Sequence, residues 1–305
     1  MEKSDKIWMD GRFVDWDEAR VHVLTHTLHY GMGVFEGIRC YRTADGRSAI
    51  FRLREHNERL FQSAHILGLV IPFSREEIDQ ACVELVRRNR LQECYLRPLV
   101  FVGEGEMGLA SVPRNPIRVA VVTWPWGAYL GDAAIKNGIR VRTSSFARFH
   151  VNTLMPKAKA VGHYVNSVLA AIEAREIGYD EALMLDTDGY VSEASGENVF
   201  LVRRGVVKTT PLTSILEGIT RASVIDLLRE SGETVVEERF TRDELYVADE
   251  AFLTGTAAEV TPMRELDNRR IGEGKPGPVT RALQERFFAA LRGQAPAHED
   301  WLTYI

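Results

Sequence analysis

The stretch Tyr30-Gly31-Met32-Gly33-Val34-Phe35-Glu36-Gly37-Ile38-Arg39 carries three glycines in a Gly-x-Gly-x-x-x-Gly pattern. A dinucleotide-binding fingerprint needs Gly-x-Gly-x-x-Gly, with a strand directly before it and a helix directly after. Here His22, His26 and His29 precede the glycines, and Ile38-Arg39-Cys40-Tyr41 behind them reads as a strand. The pattern argues against a Rossmann crevice and assigns the glycines to close approach of backbone to a neighbour or a ligand. The three histidines have no carboxylate or cysteine at ligand spacing, so they read as structural rather than metal-binding.

On the N-terminal side, Ile7 to Val14 is two short apolar runs about an Asp10-Gly11 turn, a hairpin signal. On the C-terminal side, Leu53, Leu60, Phe61, Ala64 and Leu67 recur at helical spacing and Gly68 supplies a stop. Ser74 and Glu77 have capping-box spacing and open a second helix to about Arg90. Strands are expected at Tyr95 to Val102 and Ile117 to Thr123. Trp124 to Gly138 is rich in Gly, Pro and Ala with little periodicity, and reads as a linker. Beyond it, strands at 139–144, 182–186, 199–203 and 251–254 alternate with helices at about 161–177, 220–231 and 278–291. Gly178 and Gly232 stop the first two of these helices, and Asp188-Gly189 marks a tight turn. This mixture predicts an α+β fold in two domains: a smaller one over 1–123, a loop over 124–138, and a larger one over 139–305.

Length and composition agree, since 305 residues leave room for about two domains. Hydrophobic residues at 45% and charged residues at 27% exclude disorder, collagen and coiled coil. No apolar run approaches the ~18 residues of a membrane span, and Met1 to Asp10 lacks the apolar core of a signal peptide. A net charge of −5, with 38 basic residues scattered among 43 acidic ones, gives no footprint for nucleic acid or an anionic bilayer. Cys40, Cys82 and Cys94 are odd in number and far apart, which fits a reducing, cytoplasmic setting.

Several segments carry candidate chemistry. Gly218-Ile219-Thr220 opens a helix and Thr254-Gly255-Thr256-Ala257-Ala258 is a small-residue turn after a strand. Backbone N–H groups at such places, with a hydroxyl, cradle phosphate, although Gly-Ile-Thr is also an ordinary cap. Lys157 and Lys159 lie among small residues in Met155-Pro156-Lys157-Ala158-Lys159-Ala160-Val161-Gly162. They read either as a solvated pair or as a Schiff-base lysine, which needs small neighbours so that a flat ring can approach. Glu193, in Val191-Ser192-Glu193-Ala194-Ser195-Gly196-Glu197-Asn198, is either a surface acid or a partner for a ring nitrogen.

Together these segments resemble the branched-chain amino acid aminotransferases. The resemblance is carried by the run Tyr30 to Arg39, by Arg54-Glu55-His56-x-x-Arg59-Leu60 and by Tyr95-Leu96-Arg97-Pro98. It extends through Ala158-Lys159-Ala160, Ser192 to Asn198, Leu216-Glu217-Gly218-Ile219-Thr220-Arg221 and Gly255-Thr256-Ala257-Ala258-Glu259, in the family's order from about Ile7 to Phe288. The resemblance implies the two-domain fold type IV of pyridoxal 5'-phosphate enzymes, with the cofactor between the domains and the Schiff-base lysine on the C-terminal one. It implies that Lys159 is that lysine and the acid–base of the reaction, while Lys157 departs from the small residue expected there. It gives Glu193 to the pyridine nitrogen, Tyr164 to the phenolic oxygen, and Arg59, Gly218, Ile219, Thr220 and Thr256 to the phosphate. Leu216 and Gly196 would sandwich the ring.

For the substrate, the resemblance implies a pocket of Tyr30, Phe35, Gly37, Tyr95, Arg97, Met107, Trp126 and Tyr129. Tyr95 with the Thr256 and Ala257 amides would bind the α-carboxylate, and Arg97 with the Met107 to Leu109 loop the distal carboxylate of glutamate. A lone arginine beside aliphatic substrate is costly unless hydrogen-bonded, so Arg97 is expected at the pocket rim with a phenolic partner, such as Tyr30 of a neighbouring subunit. The implied reaction is ping-pong transamination between L-leucine, L-isoleucine or L-valine and 2-oxoglutarate in a homodimer or an assembly of dimers such as a hexamer. A D-amino acid or (R)-amine aminotransferase, or aminodeoxychorismate lyase, is the alternative on the same fold. A pyridoxal-phosphate carrier would need no substrate pocket.

Overall fold

The computed structural model describes residues 2–127 and 131–305, which form two compact units, each with its own sheet. The first unit comprises 2–127 with two later segments, Lys157–His163 and Ala290–Ile305. The second comprises 131–156 and 164–289.

In the first unit the strands run in the order Leu302–Tyr304, Ser48–Phe51, Ile38–Arg42, Cys94–Val102, Ile117–Trp124, Lys6–Met9 and Arg12–Asp15. The N-terminal hairpin forms as its turn chemistry dictates, with Trp8 opposite Phe13 and Gly11 at φ +88°. The central strand Cys94–Val102 faces two partners along one edge: Ile38–Arg42 near its start and Gly33–Phe35 near its end. Between them the chain breaks at Glu36-Gly37, opposite Pro98, whose missing N–H the ladder does not need there. The Pro98 carbonyl still accepts the Glu36 N–H at 2.9 Å.

Two helices cover one face of this sheet: α1 (Leu53–Ile66) and α2 (Arg75–Arg88). α2 starts at a reciprocal capping box, in which the Glu77 N–H donates to Ser74 Oγ and the Ser74 N–H donates to Glu77 Oε2. It buries Ile78, Ala81, Cys82, Leu85 and Val86, one apolar stripe at helical spacing. α1 buries Leu53, Leu60 and Ala64 but also His56, Asn57, Arg59 and Ser63, so more than half of its buried residues are polar. The core between sheet and helices includes Ile38, Cys40, Cys94, Leu96, Val100 and Val102. Because strand side chains alternate, Arg39, Tyr95, Arg97 and Trp124 fall on the other face.

The second unit has a mixed sheet in the order Val191–Ala194, Glu181–Leu185, Ile139–Thr143, Glu259–Leu266, Glu250–Gly255, Asn198–Arg203, Val206–Thr209 and Thr234–Glu237. Three pairings are parallel: 139–143 with both 181–185 and 259–266, and 206–209 with 234–237. Helices α3 (Tyr164–Glu176) and α4 (Ile219–Glu230) belong to this unit, as does α5 (Pro278–Leu291) through Ala289. Gly178 and Gly232 follow the first two at φ +83° and +84°, the left-handed stop that glycine adopts most readily.

Three local readings differ from the sequence expectation. The strand before the expected linker continues through Trp124, and Asp132–Asn137 is a short helix ended by Gly138 at φ +78°. The alanine-rich stretch there favours helix once Gly131 and Gly138 delimit it. The histidine segment contains a one-turn helix, His26–Tyr30, closed by Gly31 at φ +70°. The helix expected from Val161 begins as a 3-10 turn over Val161–His163, and α3 proper starts at Tyr164.

Candidate active site

In the first unit, Lys157–His163 is annealed to the glycine-rich stretch. The Gly162 N–H donates to the Gly31 carbonyl at 3.0 Å, Val34 and Ala160 form a bridge, and the Phe35 N–H donates to the Lys159 carbonyl at 3.1 Å. The Lys159 N–H donates in turn to Ser63 Oγ of α1 at 3.0 Å. The lysine backbone is thus held from both sides. Ala158 and Ala160 beside it are buried, and Lys159 Nζ lies 5.1 Å from the Phe35 ring centre.

Phe35 also carries the Arg97 guanidinium, 4.7 Å from its ring centre. Tyr95 at 5.3 Å and Trp124 at 5.7 Å complete the cage around that cation. Trp126 packs edge-on against Tyr95 at 4.7 Å, and its carbonyl accepts from Arg39 Nη2 at 3.3 Å. Arg97 Nη2 reaches the Tyr95 hydroxyl at 3.4 Å, so the phenolic partner is supplied two residues away in the same strand. Its Nε is buried with no hydrogen-bond partner among the described residues. A buried donor of this kind is costly to leave unmade and is poised for an incoming acceptor.

Gly37 explains why this cage closes. A Cβ there would overlap the Tyr95 hydroxyl. Gly37→Ala is expected to swing the Tyr95 ring out and raise KM about tenfold, since a misplacement of about 1 Å can cost as much as ~10²-fold. Steady-state kinetics with the melting temperature as control checks this, and unchanged KM would remove Gly37 from the site.

Not every expected residue joins this cluster. Tyr30, on the one-turn helix, is 40% exposed and packs on His26 at 4.5 Å between ring centres. Met107 is exposed in a loop that His26 ties down through a 3.0 Å contact from Nε2 to the Gly108 carbonyl. Tyr129 lies outside the described residues. Of the other histidines, His29 contacts the Val23 carbonyl and His22 pairs with Glu104.

In the second unit, Glu193 is buried at the end of its strand, with Arg148 Nε 2.7 Å from its Oε1. Arg148 is itself buried and donates to Ser167 Oγ at 3.0 Å. The Leu216 N–H points at Glu193 Oε2 from 3.4 Å, and the Leu216 carbonyl accepts from Asn198 Nδ2 at 3.2 Å. Asn198 presses against Gly218 so closely that a Cβ at Gly218 would overlap its Oδ1. Glu193, Leu216 and the start of α4 are therefore locked together by one asparagine.

α4 begins with Gly218 in an extended conformation and no side-chain cap, while Ile219 and Thr220 behind it are buried. The first N–H groups of a helix have no intrahelical partner, so this start is a ready anion cradle. Thr256-Ala257-Ala258 is the three-residue turn joining strands Glu250–Gly255 and Glu259–Leu266, with Glu259 at φ +56°. Gly255, just before it, lies against Gly196 and Glu197. Tyr164 is the first residue of α3 and half-buried.

The sequence assigns no site role to Ser63, Trp124 or Arg148, and Glu36, His56 and Asn198 enter it only within the matched runs. A signal existed for three of the buried polar positions: His56, Arg59 and Ser63 lie at i, i+3 and i+7, on the same helix face as Leu60 and Ala64. Polar residues inside an apolar stripe mark a face that meets buried polar partners.

A sequence model of the family described as amino-transferase class IV matches residues 33–266. A branched-chain-amino-acid aminotransferase of Pseudomonas aeruginosa is 53% identical over 304 residues, covering 100% of this chain and 98% of that protein. One from Escherichia coli (strain K12) is 45% identical over 305 residues, covering 100% and 98%. Among solved structures, a branched-chain aminotransferase from the thermophilic archaeon Thermoproteus uzoniensis, crystallised with norvaline, has a TM-score of 0.94 at 44% identity, covering 99% of each chain.

Proposed function

The chain belongs to the amino-transferase class IV family, and on that premise we propose that it transfers the amino group between L-leucine, L-isoleucine or L-valine and 2-oxoglutarate, with pyridoxal 5'-phosphate as cofactor. The observation that carries the substrate reading is the shared Phe35 ring, with the Lys159 amine and the aromatic-caged Arg97 both against it. The D-amino acid, (R)-amine and lyase alternatives are not favoured beside relatives of this identity.

The residues present fit the cofactor. The first unit supplies a half-buried primary amine between alanines, and the second an uncapped helix start with a buried threonine and a buried carboxylate paired with arginine; these are the donor types that a phosphorylated pyridine aldehyde needs. Pyridoxal 5'-phosphate supplies an aldehyde for the amine and a protonated ring that takes up the electron pair left at the substrate α-carbon. Lys159 would hold the cofactor through its amine and, when free, would move the proton to and from the substrate α-carbon. Glu193, with Arg148 as its counter-charge, holds the proton on the ring nitrogen, and Tyr164 donates to the phenolic oxygen. Arg59, Thr256 and the Gly218-Ile219-Thr220 start of α4 bind the phosphate, while Leu216 and Gly196 hold the ring.

Phe35, Tyr95, Trp124 and Trp126 present an apolar surface to an aliphatic side chain and exclude water from it. Arg97 meets the distal carboxylate of glutamate, so one pocket serves both half-reactions. Tyr95, Thr256 and Ala257 take the α-carboxylate, and Gly37 lets Tyr95 approach. One methylene of difference is worth only ~1–3 kcal/mol in an apolar pocket, so leucine, isoleucine and valine are all accommodated.

We read the protein as a homo-oligomer built from dimers. Val165, Val168, Leu169 and Ile172 support this, being exposed apolar residues along one side of α3. A cytoplasmic setting agrees with three buried thiols, and no helix among the described residues is long and apolar enough to cross a membrane.

Single-turnover absorbance of the cofactor-loaded protein tests the reaction. The bound-cofactor band is expected to collapse rapidly with L-leucine and with L-glutamate, and to persist with D-alanine and with (R)-phenylethylamine. Reaction with the D-amino acid or the (R)-amine alone would overturn the substrate assignment.

A further inference from the structure

Glu36 sits at the break between strands Gly33–Phe35 and Ile38–Arg42 with no solvent exposure. Its Oε1 accepts from Arg59 Nε at 2.7 Å. Its Oε2 accepts from Arg59 Nη2 at 2.9 Å, from His56 Nδ1 at 2.7 Å and from the Gly37 N–H at 3.2 Å. Burial by itself would raise the Glu36 pKa, but the Arg59 guanidinium and the His56 hydrogen bond more than reverse this and hold it well below the usual carboxylate range. Burial pushes His56 down, with the Arg59 and Lys159 charges adding to it and Glu36 opposing. A carboxylate only accepts, so the His56 Nδ1 carries the hydrogen in a neutral ring. The cluster is thus a buried ion pair buttressed by a neutral imidazole.

An ion pair in such a place is weak evidence of stability, because desolvation opposes its attraction. What it supplies is geometry: two parallel N–H···O bonds fix the plane of a guanidinium. His56 and Arg59 share a face of α1 with Ser63, the residue that accepts the Lys159 N–H. Phe35, the neighbour of Glu36, donates its N–H to the Lys159 carbonyl. One helix face and one strand end therefore hold both the arginine and the backbone of the lysine.

We infer that Glu36 is a positioning residue: backed by His56, it sets the Arg59 guanidinium in its phosphate-binding orientation before the cofactor arrives. The inference rests on the reading of Arg59 given above. It makes a prediction of definite sign. If Glu36 served only as a counter-charge to Arg59, removing it would leave more positive charge and tighten phosphate binding. If it positions Arg59, changing it weakens phosphate binding even when the charge is kept.

The experiment titrates the full-length, cofactor-stripped protein with pyridoxal 5'-phosphate and separately with pyridoxal, and records the phosphorus NMR resonance of the bound phosphate. Glu36→Asp keeps the charge but shortens the reach to both guanidinium nitrogens. It is expected to weaken pyridoxal 5'-phosphate by about tenfold, and Glu36→Gln by about ten- to a hundredfold, with a shifted phosphorus signal. Pyridoxal affinity is expected to stay within about twofold, since it has no phosphate to lose. In an Arg59→Gln background, adding Glu36→Gln is expected to cost no further phosphate-dependent affinity. That double variant buries no unpaired charge, so it remains measurable if Glu36→Gln alone fails to fold.

Equal weakening of pyridoxal and its phosphate would mean a general structural role and overturn the inference. So would unchanged or tighter phosphate binding in Glu36→Asp and Glu36→Gln. If Arg59→Gln itself leaves the phosphate-to-pyridoxal affinity ratio unchanged, the reading of Arg59 fails, and the inference falls with it for a distinguishable reason.

Discussion

Replacing Lys159 with alanine is expected to lower kcat/KM for L-leucine by more than about 10⁴-fold, the upper range of a positioned acid–base group, and to remove the covalent absorbance band of the bound cofactor. The size of the effect follows from two losses in one residue. The amine is the covalent attachment point, and it is also the group that carries the proton at the substrate α-carbon. Its position is fixed before substrate arrives, because Ser63 and Phe35 clamp the backbone on either side. Water has no such placement, and effective molarity is what an untethered base lacks. Lys157→Ala is the control, expected to stay within about threefold of the wild type. If Lys157→Ala instead abolishes the band and Lys159→Ala keeps it, the two lysines have been assigned the wrong way round.

Replacing Arg97 with methionine separates the two half-reactions. Methionine keeps much of the aliphatic stem among Phe35, Tyr95 and Trp124 while removing the charge. A charge-assisted hydrogen bond is worth ~1.5–3 kcal/mol, so kcat/KM for L-glutamate and for 2-oxoglutarate is expected to fall about 10- to 150-fold. L-leucine brings no distal carboxylate and is expected to change by less than about threefold. The buried Nε of Arg97, with no hydrogen-bond partner among the described residues, is the structural reason for expecting so selective a loss. Stopped-flow rates for the two amino acids, each measured alone, decide it. Parallel losses for leucine and glutamate would make Arg97 a support of the pocket wall. An unaffected glutamate rate would place the distal carboxylate elsewhere.

Much of the chain could be read locally. Ser74 and Glu77 cap a helix because the spacing lets each side chain satisfy the other's backbone N–H, which needs no other part of the chain. Gly178 and Gly232 end helices because the left-handed conformation disfavours a Cβ. The Asp10-Gly11 hairpin follows from its turn chemistry, and the strand Cys94–Val102 from a largely apolar run that ends in Leu99-Val100-Phe101-Val102. The glycine-rich stretch, whose spacing and flanking elements exclude a dinucleotide site, does lie at close approaches: Gly31 against Gly162, and Gly37 against the Tyr95 hydroxyl.

Other features arise only when distant segments meet. Ala290–Ile305 returns to the first sheet because Leu302–Tyr304 pairs with Ser48–Phe51, a register that no local pattern encodes. Lys157–His163 joins the same unit through hydrogen bonds to Gly31, Phe35 and Ser63. His56, Arg59 and Ser63 share the apolar face of α1 in sequence, but only folding brings Glu36 and the Lys159 backbone against them. Glu193 could be a surface acid in sequence, and what makes it a buried ion is Arg148, 45 residues earlier. Helix stops, turns and caps are legible from residues alone, because they depend on backbone sterics and hydrogen bonds within a few residues. The tertiary structure alone decided which polar groups are buried and whom they face, because burial and charge pairing depend on segments the chain brings together only on folding.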